Sequence, residues 1–473
     1  MGAAERQQID HVFLKRKEYS LLLQFKVSIT KNTSQLFAVA NFCSTFAVEI
    51  NATFDENFDY MEIAREKYVS ELLDRRHNHL VKIITGIRRC GKSYLLNKLF
   101  RDRILQLGVR EDHIISIALD DFAFRQCLNP SELYQYVMSK VKDKERYYVL
   151  LDEIQLVSEF ESVLNGFLHI ENLDTYVTGS NSRFLSSDII TEFRGRGDEV
   201  RIAPLCFSEF CSGFQGTPSE AWEQYSVYGG MPGLLEIDRP EHKVQYLNRL
   251  FEQTYFQDII NRYHLRGNEE MSELVNVIAS SVGQLTNPYN LTNAFNSQKH
   301  LHLSNDTVTS YIQYMQDAFL ISKALRYDIR GKHFIGSPMK YYFVDVGLRN
   351  ARLNFRQKDL GSVMENVIYN ELTRRGFGVD VGLVEIAKKE NGKTIRKQYE
   401  VDFVCNRGSE RYYVQSAYDI GNEEKRQQEN QSLIHINDSF KKILIVKDSI
   451  IPYYDNNGFY NMGLLDFLLQ SDL

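Results

Sequence analysis

The stretch Leu80-Val-Lys-Ile-Ile-Thr-Gly86-Ile-Arg-Arg-Cys-Gly91-Lys92-Ser93-Tyr94-Leu-Leu-Asn-Lys-Leu-Phe100 decides how the chain reads. It opens with LVKIIT, a short apolar run of strand type, and closes with SYLLNKLF, which is helical in pattern. Between them Gly86 to Ser93 fit GxxxxGK[ST], and a strand before with a helix after is the setting that this pattern requires. The glycines let backbone N–H groups converge on a β-phosphate at a helix N-terminus, where the macrodipole favours an anion. Lys92 brings a point charge to the β- and γ-phosphates, and the Ser93 hydroxyl is placed to ligate Mg2+. The expected cradle runs from Gly86 through Arg88, Arg89 and Cys90 to Gly91, Lys92, Ser93 and Tyr94. A chance glycine turn is the competing account, and the flanks speak against it.

Outward from this loop, short apolar strands alternate with helical stretches, the signature of a parallel sheet with crossover helices. The expected strands are LVKIIT, HIISIAL, YYVLL and TYVT, with EVRIAPL as a further one. Tyr147 to Leu151 is fully apolar and ends in Asp152-Glu153, which puts both acids at the carboxyl edge of the sheet, where ligands of open α/β folds bind. Asp152 would hold magnesium through water and Glu153 would polarise the attacking water; an acidic cap on the next helix is the plainer account. TYVT runs into Gly179-Ser180-Asn181, where Ser180 or Asn181 could sense a γ-phosphate or orient the water, unless the segment is simply a turn. In Phe193-Arg194-Gly195-Arg196-Gly197-Asp198, Arg196 first and Arg194 second are placed to neutralise charge on a neighbouring subunit's nucleotide, which implies a homo-oligomer; a solvated loop is the alternative.

With 473 residues the chain can hold two or three domains, each with its own core. A hydrophobic content of 43%, 25% charged residues and 8 prolines argue for a globular chain and against disorder. The net charge of -6 gives no global basic signal, so any nucleic-acid contact would need a local patch. The six cysteines are scattered without a CxxC pair, which fits reduced thiols and a cytoplasmic location. No apolar run reaches the roughly 20 residues that span a bilayer, and the start, MGAAERQQID, has polar residues where a signal peptide is apolar.

GIRRCGKSYLL, LLDEIQ, TGSNS, RGRGDEVRIAPLCFSEF and YGGMPGLL, in this order, resemble a bacterial and archaeal family of AAA-type ATPases of the additional-strand catalytic-glutamate class. Its members carry a carboxy-terminal domain of unknown function with a restriction-endonuclease-like fold. The resemblance runs from about Met61 to the carboxyl end, and it implies ATP and Mg2+ as cofactors. In related signal-transducing ATPases a Gly-x-Pro element contacts the adenine; Gly230-Met231-Pro232 fits it, with a turn after the glycines as the alternative. The expected fold is therefore α/β: a P-loop parallel sheet of AAA type over 61–265, a winged helix over 266–350 and a restriction-endonuclease-like domain over 351–473. Residues 1–60 fall outside the resemblance and are expected to be an appended extension, with Met61 as a second candidate start.

The winged helix rests on MSELVNVIASSVGQL, YNLTNAFNSQ and LSNDTVTSYIQYMQDA, the last capped by Ser304 or Asn305, followed by a β-wing. The third helix has no Lys or Arg, whereas the wing carries Lys323, Arg326, Arg330, Lys332 and Lys340. Such a module binds DNA, or packs on the ATPase and transmits its state. In the last domain Glu365 and Glu371, six residues apart on a helix, lie on different faces. A restriction-endonuclease-like core uses a helix acid, a strand Asp and acid-x-lysine to hold metal. Glu365 and Asp402 match, whereas Gln415 and Ala417 stand where the acid and the lysine belong, which favours a fold kept for binding over one that cuts. The sequence thus reads as an ATPase that couples its nucleotide state, through the winged helix, to a nuclease-like domain that binds DNA or a protein. Its rivals are an ATP-dependent DNA-processing enzyme or nuclease, and a slowly hydrolysing switch that acts through protein contacts.

Overall fold

Strand β1 (Val81–Gly86) is buried along its whole length, and so is β3 (Tyr147–Asp152). Strands covered on both faces call for parallel neighbours and flanking helices. With β2 (Ile114–Ala118), β4 (Leu173–Thr178) and β5 (Gly197–Ile202) they form a parallel sheet in the order β2-β3-β4-β1-β5. These are the five strands expected from the sequence. The computed structural model describes residues 62–179, 195–265, 268–298, 303–356, 359–390, 393–418 and 430–470, and residues 63–473 form one unit. The expected extension over 1–60 lies outside the described residues.

Alternation along the strands builds two cores. Ile84, Leu150, Tyr176 and Val200 face one layer, shared with Leu95, Leu96 and Leu99 of the helix after the phosphate loop. Val81, Ile83, Val149, Leu151 and Val177 face the other, against Leu133, Val137, Leu164 and Phe167. Parallel pairing puts the carboxyl ends of β1, β3 and β4 on one edge, with β4 between the other two. One strand thus separates β1 from β3, as the resemblance implies.

Helices Phe207–Ser212, Pro218–Tyr228, Pro240–Leu250 and Gln257–Tyr263 follow this sheet, and then Asn268–Ser280, Pro288–Gln298 and Asn305–Asp317. The last begins at Ser304, whose hydroxyl accepts from Thr307 N at 3.0 Å, and it buries Val308, Tyr311, Ile312 and Met315, as its spacing predicts.

The remaining strands, β6 (Ile321–Asp328), β7 (His333–Phe343), β8 (Gly378–Glu390), β9 (Lys393–Arg407), β10 (Glu410–Ala417), β11 (Lys441–Val446), β12 (Tyr453–Tyr454) and β13 (Tyr460–Gly463), make one sheet in the order β12-β13-β11-β10-β9-β8-β6-β7. The β6/β7 hairpin covers the stretch expected as a β-wing, and it joins the larger sheet, because β6 pairs in parallel with β8. Three of its five basic residues turn to the protein itself, whereas Lys323 and Lys332 are exposed. Arg330 donates to the carbonyls of Glu385 and His435 at 3.3 and 3.2 Å, and Arg326 to Gln398 Oε1 at 3.3 Å. Lys340 is only 2% exposed, so it cannot touch DNA as the basic-wing reading expected. Its neighbours Tyr341, Tyr342 and Phe343 are core residues that carry it inward.

Candidate nucleotide site

Gly86 ends β1, and the loop returns to helix at Lys92 through Gly91, whose φ of 98° is one that a side chain would strain. Lys92 is 4% exposed and its ammonium donates to Gly86 O and Ile87 O at 3.0 and 3.1 Å. Across the edge, the Ser93 hydroxyl donates to Asp152 Oδ1 at 3.0 Å. Two residues that sequence reasoning missed complete this contact. Asn97, one turn further along the helix, donates to Asp152 Oδ2 at 3.3 Å and accepts from the Ser116 hydroxyl at 3.0 Å. Thr178, the last residue of β4, donates to Asp152 and accepts from Glu153 N at 3.1 Å. A polar residue ending an apolar strand is a signal for Thr178, whereas Asn97 has none.

Burial raises the Asp152 carboxyl above its ordinary range, against the hydrogen bonds from Thr178 and Ser93, and a cation beside it would offset that desolvation. Glu153 sits in the left-handed region at φ 57°, a conformation that is disfavoured by about 1–2 kcal/mol for an L-residue. The bond to Thr178 and one from the Gln155 amide hold it there. The donor set at Asp152 and Ser93 is oxygen alone, which fits a hard cation such as Mg2+.

The loop is also gripped from outside. Arg65, buried and without a sequence signal, donates to Cys90 O at 2.8 Å and to Ala203 O at 2.7 Å, tying the loop to the exit of β5. Arg88 pairs with Asp258 at 3.2 Å, and Arg89 lies beside Tyr246. Pro232 lies against the loop, since a Cβ on Gly91 would stand 4.0 Å from Pro232 Cγ. Tyr94 is largely exposed at the start of the helix.

Residues 78–211 match an AAA domain, and residues 219–359 match a domain of unknown function (DUF8612). An uncharacterized protein of Haemophilus influenzae is 32% identical over 418 residues, which are 86% of this chain and 99% of that one. The chain belongs to this AAA-domain family. An uncharacterized protein of Methanocaldococcus jannaschii is 28% identical over 78% of this chain and 82% of its own length. Among solved structures, the Aeropyrum pernix ORC1 protein in complex with DNA is similar at 13% identity and a TM-score of 0.26, over 63% of this chain and 94% of that one. C. elegans PCH-2 gives 16% identity and a TM-score of 0.24, over 53% and 65%. Likeness at these scores bears on neither activity nor partner.

Within the AAA domain, Asn181 lies outside the described residues, as do Ser180 and Arg194. Arg196 precedes β5 at the amino end of the sheet: its carbonyl accepts from Val81 N at 3.0 Å and its guanidinium donates to Asn165 Oδ1 at 3.0 Å. Gly197 pairs with Val81, five residues from Gly86, so Arg196 stands about 16 Å along the strand from its own phosphate loop.

Behind Pro232 the two ends of the 219–359 match are joined to each other. Asp345, 3% exposed, accepts from Gly230 N at 2.7 Å and from Leu348 N at 2.9 Å. Asn350 donates to Ser226 O and Val227 O at 3.0 and 2.9 Å. Gly347 abuts the Tyr228 carbonyl so closely that a Cβ there would collide with it. Sequence reading missed all three, although they follow one another in Asp345-Val-Gly-Leu-Arg-Asn350.

In the second sheet, the hairpin of β9 and β10 brings Asp402 and Gln415 together as expected: Ser416 N donates to Asp402 Oδ2 at 2.9 Å, and Asp402 N to Gln415 Oε1 at 3.3 Å. Glu365 and Glu371 do face apart. Glu371 pairs with Arg374 and Arg375 at 2.6 and 2.7 Å, whereas Glu365 turns to Asp402 and Lys340.

Proposed function

We propose that the chain is a Mg2+-dependent ATPase whose nucleotide state is passed to a nuclease-like carboxy-terminal domain that binds a partner. The observation that carries this reading is the 3.0 Å contact of Ser93 with Asp152, which joins the phosphate loop to the acidic strand end across the intervening β4. Lys92 would exchange its loop carbonyls for phosphate oxygens, and backbone N–H groups from Arg88 to Ser93 would hold the β-phosphate. Ser93 and Asp152 would hold Mg2+, which neutralises charge on the phosphates when bound. Glu153 is held over the same edge by Thr178, poised to take a proton from water, and Asn181 would orient that water. Arg196 would serve the nucleotide of a neighbouring copy in a homo-oligomer, and Pro232, with Tyr94 beside the loop, would face the base.

The state of the loop would travel through Pro232 and Gly230 to Asp345. We take 61–265 as the ATPase, 266–350 as a winged helix whose wing continues into the last sheet, and 351–473 as the restriction-endonuclease-like domain. ATP turnover with Mg2+ is the direct test. Lys92→Ala should lose binding and turnover together, and Glu153→Gln should keep ATP bound while turnover falls by about 100-fold or more. Unchanged turnover in both variants would sink the reading. The slow-switch alternative predicts a protein partner kept on Glu153→Gln with ATP and lost without it.

A further inference from the structure

The nuclease-like fold implies a divalent metal among Glu365, Asp402 and the position of Gln415, and the residues present do not fit one. The Lys340 ammonium stands there instead. It is 2.9 Å from Glu365 Oε1, 2.8 Å from Glu400 Oε1 and 3.7 Å from Asp402 Oδ1. Tyr342 donates to Glu365 Oε1 at 2.6 Å, which further occupies the oxygen that a metal would use. Gln415 turns its carbonyl to Asp402 N and the Ser432 hydroxyl, at 3.3 and 3.4 Å.

We propose that Lys340 is a resident cation, which fills the metal position of the second sheet and leaves no divalent site at that position. The carboxylates keep their places because they hold a lysine, and the lysine belongs to β7, the strand that leads into Asp345. Two unit charges about 3 Å apart interact by several kcal/mol even at an effective dielectric of about 20, so an incoming metal would be repelled strongly. This inference deepens the non-cutting reading of the domain and is independent of ATP turnover.

The test is calorimetric titration of the full chain with Mn2+ in the absence of nucleotide. Wild type and Asp402→Asn should give the same isotherm, because neither has a site there. Lys340→Met should gain one Mn2+ site at least about tenfold tighter than any in wild type, and adding Asp402→Asn should remove it. A wild-type Mn2+ site lost in Asp402→Asn would overturn the proposal, as would a folded Lys340→Met that gains none. If Lys340→Met does not fold, Lys340→Gln takes its place, and the wild-type comparison decides by itself. Metal-dependent cutting of DNA by wild type, scored separately, would sink the non-cutting reading instead.

Discussion

Lys82, wholly buried in β1, places its ammonium on Asp174, with Leu80 O at 2.8 Å. Asp174 in turn accepts from Tyr176 OH at 3.0 Å and from His77 N at 3.2 Å. Such a pair adds little over an apolar pair of equal volume, but removing one partner strands a buried charge. Lys82→Met should therefore destabilise by about 3–5 kcal/mol, read from the denaturant midpoint, and Asp174→Asn in the same background should recover part of the loss. A loss under about 1 kcal/mol would mean that water reaches Asp174. Function at this scale is unevenly legible. Lys92 and Asp152 announce themselves by motif, whereas Arg65 lies in an ordinary charged run and gains its role only when Cys90 and Ala203 are folded against it.

Among the elements, the segment from Asp345 to Asn350 is tied to Ser226, Val227 and Gly230, and Asp345 is its titratable part. Burial pushes that carboxyl up to about 6, against bonds from Gly230, Leu348 and Gly347. The tyrosines near it, Tyr225 and Tyr246, are themselves raised by burial and stay neutral in this range. A carboxyl raised in the folded state binds its proton more tightly there than in the unfolded chain. Its contribution is then full below about pH 4 and is lost as pH rises to about 6, by up to about 3 kcal/mol. Melting temperatures of wild type and Asp345→Asn should differ most at about pH 4 and below, with the wild-type advantage shrinking until about pH 6 and level above. A gap that widens with pH would reverse the assignment. The helix cap at Ser304 is readable because capping is local, whereas β6 finds its partner in β8 beyond β7 and two intervening helices, which no short-range pattern records.

For the whole molecule, one path leads from the phosphate loop to the second sheet: Gly91 against Pro232, Gly230 on Asp345, and Asp345 at the end of the strand that holds Lys340. Nucleotide binding should therefore slow hydrogen exchange of residues 340–350 in wild type. In Gly347→Ala, where the new Cβ must push the Tyr228 carbonyl away, that protection should disappear while ATP still binds, with a stability loss of about 1–3 kcal/mol. Protection that survives in the variant would show that the signal takes another route. No helix among the described residues is long and apolar enough to cross a membrane.

The sequence by itself determined the phosphate loop, the acidic strand end, the five strands of the first sheet and the hairpin that carries Asp402. Each is contiguous and has a strict stereochemical pattern, so composition and spacing suffice. Only the tertiary structure decided that Thr178 and Asn97 hold Asp152, that Asp345 reaches Gly230 across 115 residues, and that Lys340 stands among Glu365, Glu400 and Asp402. These contacts join residues with no fixed spacing, and a lysine buried among carboxylates has the same local sequence as one facing water.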